Sequence, residues 1–231
     1  MYHGVFKPGL TVAPYGISAE QLEQQLALLK KLRYQIVTFG QLLGIVERQT
    51  PRPRRMAVLT FDDGDSTFTE TALPLLRKFG MKATLFLINQ RLGQPGFMDA
   101  SEAKQAIAEG IEVGVHSMTH PNLCQCSQDQ LHEEIVESRV QLESALGTDG
   151  LDTFCYPYGH HHPGLYPLLK RAGYRGAVAV FSRERTVTGN PYAMRRIYPH
   201  PGDSPLRFRL KLSTSYLKWV AYRDRNRETT C

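Results

Sequence analysis

Four times along this chain an amphipathic helical stretch ends at a short break and runs into a β-rich segment. The first helix opens with the capping pattern of Ser18 and Gln21 and carries Leu22, Leu26 and Leu29 on one face, ahead of Tyr34–Phe39. Leu75–Phe79 stops at Gly80 before Ala83–Ile88, and Glu102–Glu109 stops at Gly110 before Ile111–His116. Leu165–Ala172 stops at Gly173 before Gly176–Phe181. A glycine at such a stop supplies the left-handed residue that ends a helix sharply. Met56–Phe61, Asp152–Tyr156 and Arg196–Tyr198 read as further strands, and Ser127–Leu146 as a long helix with its own capping pattern in Ser127 and Gln130. Ser204–Pro205 predicts an N-cap followed by proline in the first turn, with a last helix over Leu206–Tyr222. Strands alternating with helices imply a parallel sheet covered by helices. Periodicity leaves open whether that sheet is doubly wound or closed into a barrel. In both, chemistry gathers at the C-terminal ends of the strands.

With 231 residues, 42% of them hydrophobic and 22% charged, the chain is read as one domain over its whole length, ending in a helix and a basic tail from about residue 204. No apolar run reaches the ~20 residues that cross a bilayer. The opening MYHGVFKPGL lacks the basic start and apolar stretch of a signal peptide. The four cysteines, Cys124, Cys126, Cys155 and Cys231, are too few for a disulfide scaffold, which fits a reducing, cytoplasmic setting. Translation from further upstream would instead allow export. The net charge of +6, clustered at Pro51–Arg55 and between Arg207 and Arg227, is read first as a solvated face, and otherwise as attraction to an anionic glycan or a membrane surface. No zinc finger or RNA-binding signature points to nucleic acid.

Chemistry-bearing residues stand where the strands end. Met56–Phe61 runs into Asp62-Asp63-Gly64, Ile111–Val115 into His116-Ser117-Met118-Thr119-His120, and Asp152–Cys155 into Tyr156-Pro157-Tyr158-Gly159. Alone, Asp-Asp-Gly is a turn and His-x3-His a pair of surface histidines. Together, each following an apolar strand, two imidazoles and a carboxylate make the three-ligand set of a catalytic zinc with a position left for water. Such a metal lowers the pKa of that water from ~16 to about 7. One aspartate can then hold the metal while its neighbour takes the proton.

These motifs resemble the first three of the polysaccharide deacetylases of carbohydrate esterase family 4. They are Thr60-Phe61-Asp62-Asp63-Gly64, His116 to His120, and Phe154-Cys155-Tyr156-Pro157-Tyr158-Gly159. The resemblance runs from residue 2 to about residue 200 and implies a distorted (β/α)7 barrel. It also implies Asp62 as general base, Asp63, His116 and His120 as ligands of one divalent metal, zinc, and the Tyr158 backbone N–H as an oxyanion donor. Cys155 stands where the family carries an arginine that orients the base, and the usual C-terminal Asp-Trp and Leu-x-His motifs are absent. Tyr2-His3-Gly4 resembles the permuted branch that holds the poly-N-acetylglucosamine deacetylases. That likeness implies His3 as general acid, and Arg196 as the replacement partner of Asp62. The implied reaction removes the acetyl group from an N-acetylhexosamine of a glycan or glycoconjugate, releasing acetate. Hydrolysis of another amide or acetyl ester, or silent glycan binding, are the alternatives.

Other features read as structure. His160, His161 and His162 are expected in a solvated loop, Cys124 and Cys126 in loop positions, and Phe208, Leu212, Tyr216 and Trp219 as the buried stripe of the last helix.

Overall fold

Residues 1–9, 15–51, 53–181 and 189–223 are described by the computed structural model of the chain. Along them run β1 (Val5–Phe6), β2 (Ile17–Ser18), α1 (Ala19–Lys31), β3 (Gln35–Val37), α2 (Phe39–Glu47), β4 (Met56–Val58) and β5 (Thr60–Phe61). Next come α3 (Leu73–Phe79), β6 (Thr84–Leu87), α4 (Ala100–Ala108), β7 (Glu112–Val115), α5 (Gln128–His132) and α6 (Ser138–Leu146). The chain continues through β8 (Thr153–Cys155), α7 (Tyr166–Arg171), β9 (Gly176–Ala179), β10 (Met194–Arg195), α8 (Pro205–Lys211) and α9 (Thr214–Arg223).

Six strands form one sheet in the order β10-β9-β8-β7-β6-β5, every pair parallel. The first residues join its two edges. Tyr2 pairs in parallel with Phe61, donating to the Thr60 carbonyl at 2.8 Å and accepting from the Asp62 amide at 3.0 Å. On the other side the Met1 nitrogen donates to the Ile197 carbonyl at 2.9 Å, just past β10. Six strands and the Tyr2 segment make seven wall positions, the curled, distorted barrel that the resemblance implies. The β3–β4 and β1–β2 pairs are parallel additions beside it.

Local chemistry explains the elements. Ser18 caps α1 by accepting from the Gln21 amide, and Leu22, Leu26 and Leu29 are buried in the core. Gly80 ends α3 at φ 65°. The segment read as a strand to Phe39 stops at Val37 instead. Thr38 and Gln41 form a complete capping box, so Phe39 opens a helix that buries Phe39, Leu42 and Leu43. The late strand lies at Met194–Arg195, two residues before the expected one. The helix expected over Leu206–Tyr222 breaks after Lys211, because Ser213 closes the first helix through its amide and accepts from the Tyr216 amide to start the second. Its stripe is only partly buried: Phe208 is in the core, whereas Trp219 is 52% exposed.

Cys126 and Cys155 are free thiols. Among the described residues no helix is long and apolar enough to cross a membrane. Arg52 and residues 224–231, parts of the two basic clusters, lie outside the described residues.

Candidate active site

The loops after the parallel strands converge on one cleft of about 900 Å³. Asp62 and Asp63 follow β5, His116 and His120 follow β7, Tyr158 follows β8, and Arg196 follows β10, with His3 arriving on the Tyr2 segment. All seven sequence-derived candidates therefore meet at the C-terminal mouth of the barrel, where all but Tyr158 are buried or half-buried.

Backbone strain concentrates here. Asp63, Ser117, His120 and Tyr158 are four of the seven non-glycine residues at positive φ among the described residues. Such conformations cost energy and persist where surrounding structure fixes them. Gly64, at φ 77°, could not be replaced cheaply, since a Cβ there would meet Leu87 Cδ2 at 2.6 Å. The histidine loop is held by Glu134, whose Oε2 accepts from the Met118 and Thr119 amides at 2.8 and 2.9 Å and whose Oε1 accepts from the Thr119 hydroxyl at 2.5 Å. Ser117 Oγ accepts from the His120 amide at 3.0 Å.

Asp62 is buried and gripped by Arg196. Nη1 donates to Oδ1 at 2.7 Å and Nη2 to Oδ2 at 2.8 Å, while Arg196 also reaches Thr60 Oγ1 at 3.1 Å and Cys155 Sγ at 3.0 Å. Burial alone would raise the Asp62 carboxyl, but the charge and hydrogen bonds of Arg196, with His116 and His3 adding to them, hold it well below the usual carboxylate range. Asp62 is thus an ionised carboxylate in a buried place. His3 Nε2 lies 4.0 Å from Asp62 Oδ2 and is a quarter exposed to the cleft.

Asp63 behaves oppositely. Burial and the neighbouring Asp62 charge push it up to about 6. Its Oδ1 is buried without a hydrogen-bond partner. That orphaned oxygen stands 3.5 Å from His116 Nε2 and 3.8 Å from His120 Nε2. Three donors at ~2.0–2.1 Å from a tetrahedral ion would lie about 3.4 Å apart. The observed set is close to that spacing, so these residues fit a divalent cation. His116 Nδ1 is 2.8 Å from the Cys155 carbonyl, which orients the ring and leaves Nε2 as the free lone pair. Burial holds His116 down to about 3 and also lowers His120, so both imidazoles are neutral and able to ligate. A second convergent trio, Asp62, His116 and Cys155, already has the Arg196 guanidinium on two of its members.

The histidine run after Tyr158 is not the solvated loop expected. His161 is buried against Tyr156 and Tyr166, and burial lowers it to about 4, while His160 stacks on Phe181 at the cleft. Glu134 went unread in the sequence because Glu133-Glu134 within a helix looks like a solvated face. In the sequence Cys155 stands only as a departure from the family pattern, yet its sulfur touches Arg196 and its carbonyl sets the His116 tautomer.

Comparison with known proteins gives the family and the fold. The sequence model described as polysaccharide deacetylase matches residues 49–177, more than half of the chain. The chain is 26% identical over 205 residues to the poly-beta-1,6-N-acetyl-D-glucosamine N-deacetylase of Staphylococcus aureus, covering 83% of this chain and 70% of that protein. It is 23% identical over 204 residues to YxkH of Bacillus subtilis, covering 88% and 71%. Among solved structures, the Streptococcus pyogenes deacetylase PplD superposes with a TM-score of 0.80 at 20% identity, covering 92% of this chain and 98% of that one. IcaB from Ammonifex degensii superposes with a TM-score of 0.73 at 20% identity, covering 94% and 96%. With a matching family sequence, the same curled barrel and an acid–histidine cleft at its mouth, the chain belongs to the polysaccharide deacetylase family of hydrolases.

Proposed function

We propose that this protein removes the acetyl group from an N-acetylhexosamine within a glycan, using one divalent cation, zinc, held by Asp63, His116 and His120. The observation that carries the reading is a buried carboxylate kept ionised by Arg196, next to an orphaned Asp63 oxygen that faces two neutral imidazoles. When bound, the cation would polarise the acetyl carbonyl and make water acidic enough to be a nucleophile near neutral pH.

The protein's own residues do the remainder. Asp62 takes a proton from the attacking water as its oxygen bonds to the acetyl carbon. Arg196 fixes both Asp62 oxygens, so the basic lone pair points one way. The Tyr158 N–H, on a loop held at φ 59°, donates to the oxyanion of the tetrahedral intermediate. As the C–N bond breaks, His3 gives its proton to the departing nitrogen, leaving acetate and a free amine. The cleft volume and the name of the Staphylococcus aureus relative favour a glycan of N-acetylglucosamine over a small amide.

Acetate release from β-1,6-linked N-acetylglucosamine oligomers tests this, run beside acetylated xylan and acetamide. The metal-stripped protein should be inactive and regain turnover with about one equivalent of zinc. Equal turnover with and without chelator, or release from xylan alone, would overturn the reading.

A further inference from the structure

Seven large hydrophobic side chains are exposed among the described residues, and four of them, Leu206, Leu210, Trp219 and Tyr222, stand on the packed pair α8 and α9. They are 52–66% exposed. Leu206 and Leu210 are four residues apart and Trp219 and Tyr222 three apart, so each pair shares a helix face. Scattered exposed hydrophobics are ordinary, whereas a concentration in one short segment marks an interaction surface.

The charges around them select the partner. Residues 204–223 contain Arg207, Arg209, Lys211, Lys218 and Arg223 and no acidic residue. Lys211 is spent internally on Asp203, but Arg207, Arg209 and Lys218 are exposed and pair with no carboxylate among the described residues. Leucines and an aromatic pair interleaved with unpaired cations match the two layers of an anionic lipid surface. The rings and leucines enter the headgroup boundary while the cations meet the phosphates. A protein partner's flat apolar face would leave these cations without counter-charges, and a nucleic acid would leave the leucines in water.

We propose that α8 and α9 form a docking surface for an anionic lipid bilayer. Arg223, at the end of α9, also lines the active-site cleft, so docking brings the cleft mouth beside the lipid surface. This surface stands apart from the residues assigned to catalysis, and the proposal holds whether or not the cleft deacetylates a glycan.

Trp219 is the single tryptophan of the chain and reports directly on the patch. Its fluorescence is to be followed while the protein is mixed with vesicles of phosphatidylcholine alone, or of phosphatidylcholine with phosphatidylglycerol, and co-sedimentation is measured in parallel. The expected result is a blue shift and co-sedimentation with the anionic vesicles only, both weakened by salt. Replacing Arg207→Glu and Arg209→Glu together, or Leu206→Ser and Leu210→Ser together, should lower partitioning by about tenfold or more. Thermal unfolding and acetate release from a soluble oligomer should match the parent, which separates lost docking from lost folding. Absence of binding, equal binding to both vesicles, or undiminished binding by folded variants would overturn the proposal. So would a lipid-independent blue shift that tracks self-association or added nucleic acid.

Discussion

Arg196 grips Asp62 across the seam of the barrel, with Nη1 2.7 Å from Oδ1 and Nη2 2.8 Å from Oδ2. The two residues leave opposite edge strands of the six-stranded sheet, so the seam and the base are built together. A carboxylate lowered by such a partner contributes stability above its unfolded pKa and loses it as pH falls through the folded one. For Asp62 that loss begins in the ordinary carboxylate range and continues into strongly acid pH.

Arg196→Ala should leave Asp62 buried and unpaired, at a cost of about 3–5 kcal/mol in stability. Burial then dominates and raises the carboxyl, so the acid limb of kcat/KM should move to higher pH. Arg196→Lys keeps a charge but not the fork, and should fall between the two. Denaturant unfolding and pH–rate profiles check both; an unmoved acid limb in a folded Arg196→Ala protein would remove Asp62 as the base.

The two adjacent aspartates should separate cleanly. Asp62→Asn should keep about one equivalent of metal while losing turnover, because the amide takes no proton. Asp63→Asn should lose the metal itself, as should His116→Ala with His120→Ala. Metal content of the purified proteins decides; if Asp62→Asn is empty and Asp63→Asn full, the roles are reversed.

Much of this site was legible because a parallel fold puts strand ends together. Each of Asp62, Asp63, His116 and His120 directly follows or lies just beyond an apolar run, and the alternation of helix and strand needs no long-range information to be seen. Arg196 was less legible, since its value lies in a contact 134 residues away across a seam that no local pattern announces. Glu134 was invisible for the same reason: only the fold turns its carboxylate toward the amides of residues 118 and 119. α2 was missed although Thr38 and Gln41 spell its capping box, because the preceding β-formers drew the strand through Phe39. Trp219 was misplaced because a stripe extrapolated through Leu212 assumes an unbroken helix, and Ser213 breaks it.

Glu134 touches no ligand atom, yet it accepts three hydrogen bonds from the loop that carries both histidines. Glu134→Ala should therefore weaken metal affinity, by about 10- to 100-fold on the precedent of other supporting residues. The buried Met118 amide left unsatisfied should cost roughly 1–3 kcal/mol, and the more exposed Thr119 amide less. Glu134→Gln retains one acceptor and should recover part of both. A metal titration beside thermal unfolding tests this, and an unchanged metal affinity in a folded but destabilised Glu134→Ala protein would make the residue structural only.

His3 is the assignment most exposed to refutation. Amide hydrolysis needs an acid, because an amine leaves as an anion only with great difficulty. His3 Nε2 is 4.0 Å from Asp62 Oδ2 and opens on the same cleft, close enough to serve a substrate held between them, and a positioned imidazole is the side chain most often used to hand a proton to a leaving group. The ring is not on a frayed end, since Tyr2 beside it is paired with β5 and buried. His3→Ala should lower amide turnover by about 10²- to 10⁴-fold while metal content stays the same. An activated aryl acetate, whose leaving group needs little protonation, should suffer much less, and that contrast is what a merely structural role would not produce. If amide and aryl ester fall together, His3 supports the site without donating the proton. If neither falls, the acid must be sought among the other imidazoles of the cleft, His160 and His200.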